Sequence, residues 1–267
     1  MPDYYATNRQ NWNEVTPIHA ASRSYDLDGF RAGRNALRPI ERAEVGDVAG
    51  KSLLHLQCHL GDDTLSWARL GARVTGVDFS DEALAVACGL RDELGIDARF
   101  IQANIYDLPK VLDEKFDIVF ATYGVLCWLH DIPRWAQIAA SYVKPGGFLY
   151  LAEFHPTAVS IFEEAEGDTF RMTFPYFPQS EPVYCPPGPT YTDGDAVPTT
   201  GTYQWPYSLG QVVTALCDAG LRIEFLHEHP CAACSMMPGM RKHDDRLWWR
   251  ETNDLPLMFS TRARKEV

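Results

Sequence analysis

Residues 52–80 read SLLHLQCHLGDDTLSWARLGARVTGVDFS, and the rest of the chain is organised around them. Leu53, Leu54 and Leu56 form a short apolar run that predicts a buried strand. A turn through Gly61 follows. Leu60, Leu65, Ala68 and Leu70 then keep helical spacing, and Gly71 is placed to end that helix. Residues 74–77 predict a second strand, which closes on Asp78. Strand, tight turn, helix, strand and acid make a unit whose turn brings backbone close to a ligand. The acid at the second strand's end is placed to accept bonds from ribose hydroxyls. The expectation is a nucleotide-like cofactor above the carboxyl ends of a parallel sheet.

The turn narrows the choice of cofactor. A dinucleotide site uses G-x-G-x-x-G so that a pyrophosphate can rest on the helix N-terminus. Here the turn is Gln57-Cys58-His59-Leu60-Gly61, followed by Asp62 and Asp63. Two carboxylates at a helix start repel a pyrophosphate but suit a ligand carrying an ammonium or sulfonium. That points away from NAD and toward S-adenosylmethionine.

On these residues the stretch resembles the class I S-adenosylmethionine-dependent methyltransferases, whose usual form is an apolar strand, acid-x-Gly-x-Gly-x-Gly, then helix. His55 stands at the acid, Gln57 and His59 at the first two glycines, and only Gly61 is kept. VTGVDFS (74–80) matches with Asp78 in the ribose position. Ala103-Asn104, FDIVF (116–120) as strand four and VKPGG (143–147) before strand five continue the likeness to Phe154. It covers roughly the central two-fifths of the chain. The resemblance implies a Rossmann-like α/β fold: a doubly wound, seven-stranded, mostly parallel sheet whose last strand inserts antiparallel. It also implies a cofactor site at Gln57, His59, Gly61, Asp78, Phe79, Asn104, Ile105 and Thr122. Histidine tolerates positive φ better than most residues, and Gln57 is placed to replace a lost backbone contact to the methionine head.

Composition bounds the function. The 267 residues suit one domain, divided as an N-terminal helical lid (1–50), a cofactor core (51–156), a substrate cap (157–206) and a C-terminal helix with the last two strands (207–267). The net charge is −12, which argues against nucleic acid or an anionic membrane as partner. No stretch approaches the ~20 apolar residues of a membrane span. Seven irregularly spaced cysteines and no signal-like start fit a reducing cytoplasm. The oligomeric state is left open.

In the first 50 residues, Trp12, Val15 and Ile18 mark one helix over 8–21, and Asp28 is a candidate cap for a second carrying Phe30, Leu37 and Ile40. In relatives of this fold such a segment lies over the cofactor, so His19, Tyr25 and Arg31 are candidates to face the cleft or to sit on an ordinary packed or solvated helix face. Strand four should end in a loop, 122–128, beside the reacting methyl, with Tyr123 and Trp128 either facing it or packed in the core. Residues 157–206 are dense in Pro, Gly and aromatics, among them Phe170, Phe174, Tyr176, Phe177, Tyr184, Tyr191, Tyr203 and Trp205. They predict a substrate cap, with a hairpin around 184–203, or else a packed loop or subunit contact. Ser208 is placed to cap the last helix, 221–227 to form strand six, 230–253 a second loop, and 255–263 the last strand.

Methyl transfer is an in-line displacement that needs alignment and a dry site. A hydroxyl acceptor also needs a base, and histidine titrates nearest neutral pH. His155, at the end of strand five, comes first, then His130, then His19; each can instead be a structural histidine. Substrate contacts fall to Tyr25, Tyr123, Trp128, Tyr203 and Trp205. The expected substrate is a small, partly apolar or aromatic molecule methylated on O or N. A protein of the same fold that binds the cofactor without methylating is the alternative, and an NAD oxidoreductase is a further one. Cys231-Ala-Ala-Cys234, with His227, His229 and His243 nearby, lacks the second close pair of a structural zinc site, so no metal is expected. The cluster His55, Cys58, His59 is no stronger.

Overall fold

The structure is a computed structural model that describes residues 3–161, 165–166, 169–243, 246–252 and 255–267, with the backbone alone for 165–166 and 169–170. Its centre is a seven-stranded sheet. The strands are β1 (Ser52–Leu56), β2 (Arg73–Asp78), β3 (Ala98–Gln102), β4 (Phe116–Thr122), β5 (Val143–Phe154), β6 (Leu221–His229) and β7 (Met258–Lys265). Their order is β6-β7-β5-β4-β1-β2-β3. Strands β1 to β5 run parallel, and β7 lies antiparallel between β5 and β6. The order in which successive strands are added therefore reverses at β1, between β4 and β2, where ligands of doubly wound sheets bind at the carboxyl ends.

The helices flanking the sheet follow the apolar spacing. They are α1 (Tyr4–Ala21), α2 (Leu27–Arg31), α3 (Pro39–Val45), α4 (Asp62–Arg69), α5 (Asp81–Leu94), α6 (Ile132–Tyr142), α7 (Pro156–Ser160) and α8 (Leu209–Asp218). Ser80 caps α5 by accepting from the Ala83 amide, Ser208 caps α8 through Gln211, and Gly71 follows the end of α4 at φ +93°. One core cluster lies under α6 and α8, with Leu54, Val119, Trp135 and Leu151. The opposite face buries Trp67, Phe120 and Tyr150. Both faces of β1 and β4 are thus covered, which is why their sequences are continuous apolar runs rather than alternating ones.

Three expectations are corrected. The second N-terminal helix is two short ones, because Gly33 at φ +105° breaks the chain and Pro39 restarts it; Asp26 rather than Asp28 caps α2. Residues 230–253 are more than a loop: Cys231–Ala232, Arg241–Lys242 and Trp248–Trp249 make a small antiparallel sheet. The last strand runs later than expected, over Met258–Lys265. The hairpin expected in the cap is present, pairing Val183–Cys185 with Thr202–Gln204. The side chain of Phe170 lies outside the described residues. Among the described residues no helix is long and apolar enough to cross a membrane.

α1 and the cap are stitched together. Asn8 exchanges two 2.8 Å bonds with the Tyr203 backbone. Glu14 accepts from the amides and hydroxyls of Thr199 and Thr200. Asp193 accepts from Arg23 and Ser24. Together these segments roof the carboxyl end of the sheet.

Candidate active site

Under that roof lies a cavity of about 1080 Å³, lined from the ends of β1, β2, β4 and β5, from α1, and from the cap. Ordinary ligand pockets hold roughly 300–1,000 Å³, so this one has room for a cofactor and a second molecule.

The turn after β1 shows how the missing glycines are tolerated. Gln57 and His59 adopt φ of +57° and +48°, the left-handed conformation that the family's glycines normally supply. Each such residue costs on the order of 1 kcal/mol and persists only when neighbours hold it. Here the Cys58 amide donates to Val77 O (2.9 Å), the His59 amide to Asp78 Oδ2 (2.8 Å) and Gln57 Nε2 to Val125 O (2.9 Å). Gly61 is different. At φ +74° it precedes α4, and a Cβ there would lie 2.7 Å from the Ala87 side chain. The first two positions have side chains in the cavity wall, whereas Gly61 packs against α5 and lies outside it.

Asp78 ends β2 with both carboxylate oxygens engaged, Oδ2 by the His59 amide and Oδ1 by the Ser80 amide at 2.9 Å. Burial pushes its carboxyl up to about 6, while the amide bonds pull the other way. Each oxygen keeps a lone pair for a ligand hydroxyl. Phe79, Asn104 and Ile105 line the same part of the wall. Asn104 Oδ1 is used by the Tyr106 amide (3.0 Å). Nearby, three buried polar atoms of cavity-lining residues have no partner: His55 Nε2, Gln57 Oε1 and Thr122 Oγ1. Buried groups left unbonded cost about 1–3 kcal/mol each, so they mark where a polar ligand group fits.

The roof contributes imidazoles and phenols. His19 Nδ1 lies 2.9 Å from His59 Nε2, Tyr25 stacks on the His19 ring, and Tyr25 and Tyr191 share a 2.6 Å hydroxyl bond. Burial lowers His19 to about 4, so it is neutral at pH 7, and its Nε2 has no partner. Trp12 meets Trp128 edge-on at 5.3 Å in the same wall. Tyr123 also lines the cavity, and its hydroxyl donates to the fully buried Glu41.

Several expected residues lie elsewhere. His155 is outside the cavity: its Nδ1 accepts from the Thr157 amide at the start of α7, and its Nε2 lies 3.0 Å from Glu228 on β6. It is a buried structural histidine because β5 hands the chain directly to a helix that needs a cap. His130 is exposed, bonded to the Tyr5 hydroxyl and set edge-on to Tyr106. Tyr203 and Trp205 do not line the cavity either; they pack on Tyr4 and Tyr5 of α1 and join cap to lid. Arg31 points to solvent, paired with Glu93 and Asp28. Among the three histidines proposed as bases, His19 alone is in the wall. Cys234 lines the cavity with its thiol pushed up to about 12 by burial, and no group of three or more metal-ligating side chains occurs among the described residues.

Glu153 carries a structural role that sequence reading missed. Its buried carboxylate accepts from the amides of Gly124 (2.6 Å), Val125 (2.7 Å), Leu126 (2.9 Å) and Phe154 (2.7 Å). It fixes the β4 loop over the cavity. The one signal was an acid amid an apolar strand.

Residues 54–151 match the family described as "Methyltransferase domain". They are a methyltransferase domain of the class I S-adenosylmethionine-dependent family. The ubiquinone biosynthesis O-methyltransferase of Xanthomonas euvesicatoria is 31% identical over 140 residues, 51% of this chain and 58% of that protein. The Salmonella newport enzyme of the same name is 30% identical over 145 residues, 52% and 60%. The chain thus spans about three-fifths of the curated relatives it matches. Among solved structures, an S-adenosylmethionine-dependent methyltransferase from Mesorhizobium loti superposes with a TM-score of 0.62 at 18% identity, covering 88% of this chain and all of that one. The CcbJ methyltransferase from Streptomyces caelestis gives 0.62 at 15%, covering 97% and 99%. These likenesses are of fold. They cover more of the chain than the matched residues 54–151.

Proposed function

We propose that the protein binds S-adenosylmethionine and transfers its methyl group to an O or N atom of a small, partly apolar or aromatic molecule. The observation that carries this is the position of Asp78: a buried carboxylate ending β2, with a lone pair left on each oxygen, at the edge of a cavity large enough for two ligands. The nearby partnerless Gln57 Oε1, Thr122 Oγ1 and His55 Nε2 fit the polar head of such a cofactor, Gln57 Oε1 accepting from an ammonium. Bound there, the cofactor supplies an electrophilic methyl on a sulfonium.

The chain's own groups do the rest. Asp78 holds the ribose. Glu153 keeps the β4 loop in place, and Trp12, Trp128 and Tyr25 exclude water and orient a flat acceptor. His19, joined to His59, is the candidate base for a hydroxyl acceptor; burial keeps it unprotonated at pH 7 and also weakens it as a base. Incubation with methyl-labelled S-adenosylmethionine and fractionated small-molecule extract tests this. The expected result is S-adenosylhomocysteine together with a labelled product. Cofactor binding without turnover in any fraction would favour the non-methylating alternative, for which the side chains at two glycine positions are the motive.

A further inference from the structure

The cavity wall carries three cations that the chain leaves without a carboxylate. Arg38, at the start of α3, donates to Ala233 O at 3.1 Å and lies over the Tyr123 ring at 5.0 Å, with no partner for its Nε. Arg246 donates to Ala36 O at 2.5 Å. Lys242 lies on the small antiparallel sheet. None of the three forms an ion pair among the described residues, whereas Arg34 nearby is neutralised by Asp26 at 2.8 Å.

The facing acids compensate them only in part: against burial, Tyr123, Glu41 and Asp63 hold Arg38 above its ordinary value, and Asp63 and Asp62 oppose the lowering of Arg246. Glu41 already accepts from the Arg38 amide and the Tyr123 hydroxyl, and burial pushes its carboxyl up to about 7. Burial and then Asp63 raise Asp62 well above the carboxylate range. Asp193 is engaged by Arg23 and Ser24. That leaves Asp63 as the one acid held in neither way. The cations also crowd one another: burial, then the repulsion of Arg38 and Arg34, lowers Arg246, and burial followed by Arg246, Arg38 and Arg34 lowers Lys242. Arg38 and Arg246 are thus desolvated like charges with more positive charge than the one remaining acid balances, an arrangement that is costly unless a ligand completes it; Lys242 stands at its exposed edge. Arg246 is moreover held at φ +67°, a strained conformation of the kind that collects at ligand sites.

We propose that Arg38, Lys242 and Arg246 form an anion-binding subsite for the acceptor, which is therefore a small molecule bearing a carboxylate. The inference rests on the methyl-transfer function above and names its substrate class. Lys242 and Arg246 come from the segment after β6, outside the ends of β1, β2 and β4 that supply the cofactor groups. Met236, Met237 and Trp248 of the same segment line the wall and accommodate an apolar or aromatic body beside the charge. Arginine forks suit carboxylates in a bidentate manner.

The test uses the full chain saturated with S-adenosylhomocysteine and titrated with benzoate or its neutral counterpart benzamide, followed by NMR. Benzoate should bind at least about tenfold more tightly, since one charge-assisted bond to a buried cation contributes roughly that much. Arg246→Gln should remove most of that preference and Lys242→Met a smaller part of it, leaving benzamide binding, S-adenosylhomocysteine affinity and the thermal midpoint little changed. Lys242 is exposed, so its variant folds whatever Arg246 contributes to stability. Equal binding of benzoate and benzamide overturns the subsite. So does a loss of S-adenosylhomocysteine affinity in the variants, which would assign the cations to the cofactor. Failure of the wild type to bind S-adenosylhomocysteine would instead remove the methyl-transfer function, and the subsite with it.

Discussion

His19 Nδ1 and His59 Nε2 stand 2.9 Å apart, so helix α1 and the turn after β1 are joined through two imidazoles. One of the rings replaces a hydrogen atom: His59 occupies a position where the family has glycine. The side chain at the glycine position also makes the contact that joins α1 to the turn. Burial lowers both rings, and each also borders the other. The pair is therefore neutral at physiological pH, with one shared proton between the facing nitrogens.

His59→Gly separates the two effects. Glycine relieves the left-handed strain, a gain of roughly 0.5–1 kcal/mol, while the latch to α1 is lost. The expected outcome is faster amide exchange over the C-terminal half of α1 with unchanged protection in β1 and β4. Unchanged exchange in α1 would mean that the bonds from α1 to the cap hold the lid alone.

Glu153→Gln tests the anchor under the β4 loop. An amide has one acceptor oxygen and sets an NH₂ against N–H donors, so several of the four bonds to the carboxylate are lost. A loss of about 3 kcal/mol in urea unfolding is expected. S-adenosylhomocysteine affinity should fall with it, because Gly124 and Val125 line the cavity.

Glu41 gives a pH signature. Its folded carboxyl sits at about 7 against an ordinary value of 4.5, raised by burial. A raised folded value means the contribution to stability is complete below pH ~4.5 and is lost as pH climbs through ~7. That is at most about 3 kcal/mol for the shift. The wild type should lose stability between pH 5 and pH 8.5, and Glu41→Gln should lose less over the same interval. Buried His19 and His55 act with the opposite sign, but at lower pH, between ~4 and ~6.5. Parallel denaturant curves for the two proteins would contradict this assignment.

The core of this fold was legible because its strands are buried on both faces and its caps are local. Leu53, Leu54 and Leu56, the Ser80 and Ser208 caps, and the acid ending β2 each depend on a few neighbouring residues. The small sheet over 231–249 escaped notice because its two-residue strands have no periodicity to read. The lining of the cavity was legible where the backbone dictates it, at Gln57, His59 and Asp78. It was illegible where a side chain's direction is set by distant packing. His155 follows β5 into α7 and turns away from the cavity, and Trp205 packs on α1 rather than lining the cavity. Arg38 and Arg246 face the cavity only because α3 and the small sheet meet there.

His155→Gln puts that correction to the test. With the histidine outside the cavity, the variant should keep S-adenosylhomocysteine affinity within about twofold while losing about 1–2 kcal/mol of stability from the α7 cap and the Glu228 contact. A tenfold loss of affinity at unchanged stability would return His155 to the site.

The most direct measurement is calorimetric titration of S-adenosylhomocysteine into the wild type and Asp78→Ala, with the fold of each checked by circular dichroism. One site should saturate in the wild type. The variant should weaken it at least about a hundredfold, because two charge-assisted ribose bonds are lost along with the support of the turn. A folded Asp78→Ala protein that binds as tightly as the wild type, or a wild type that binds nothing, would contradict the account.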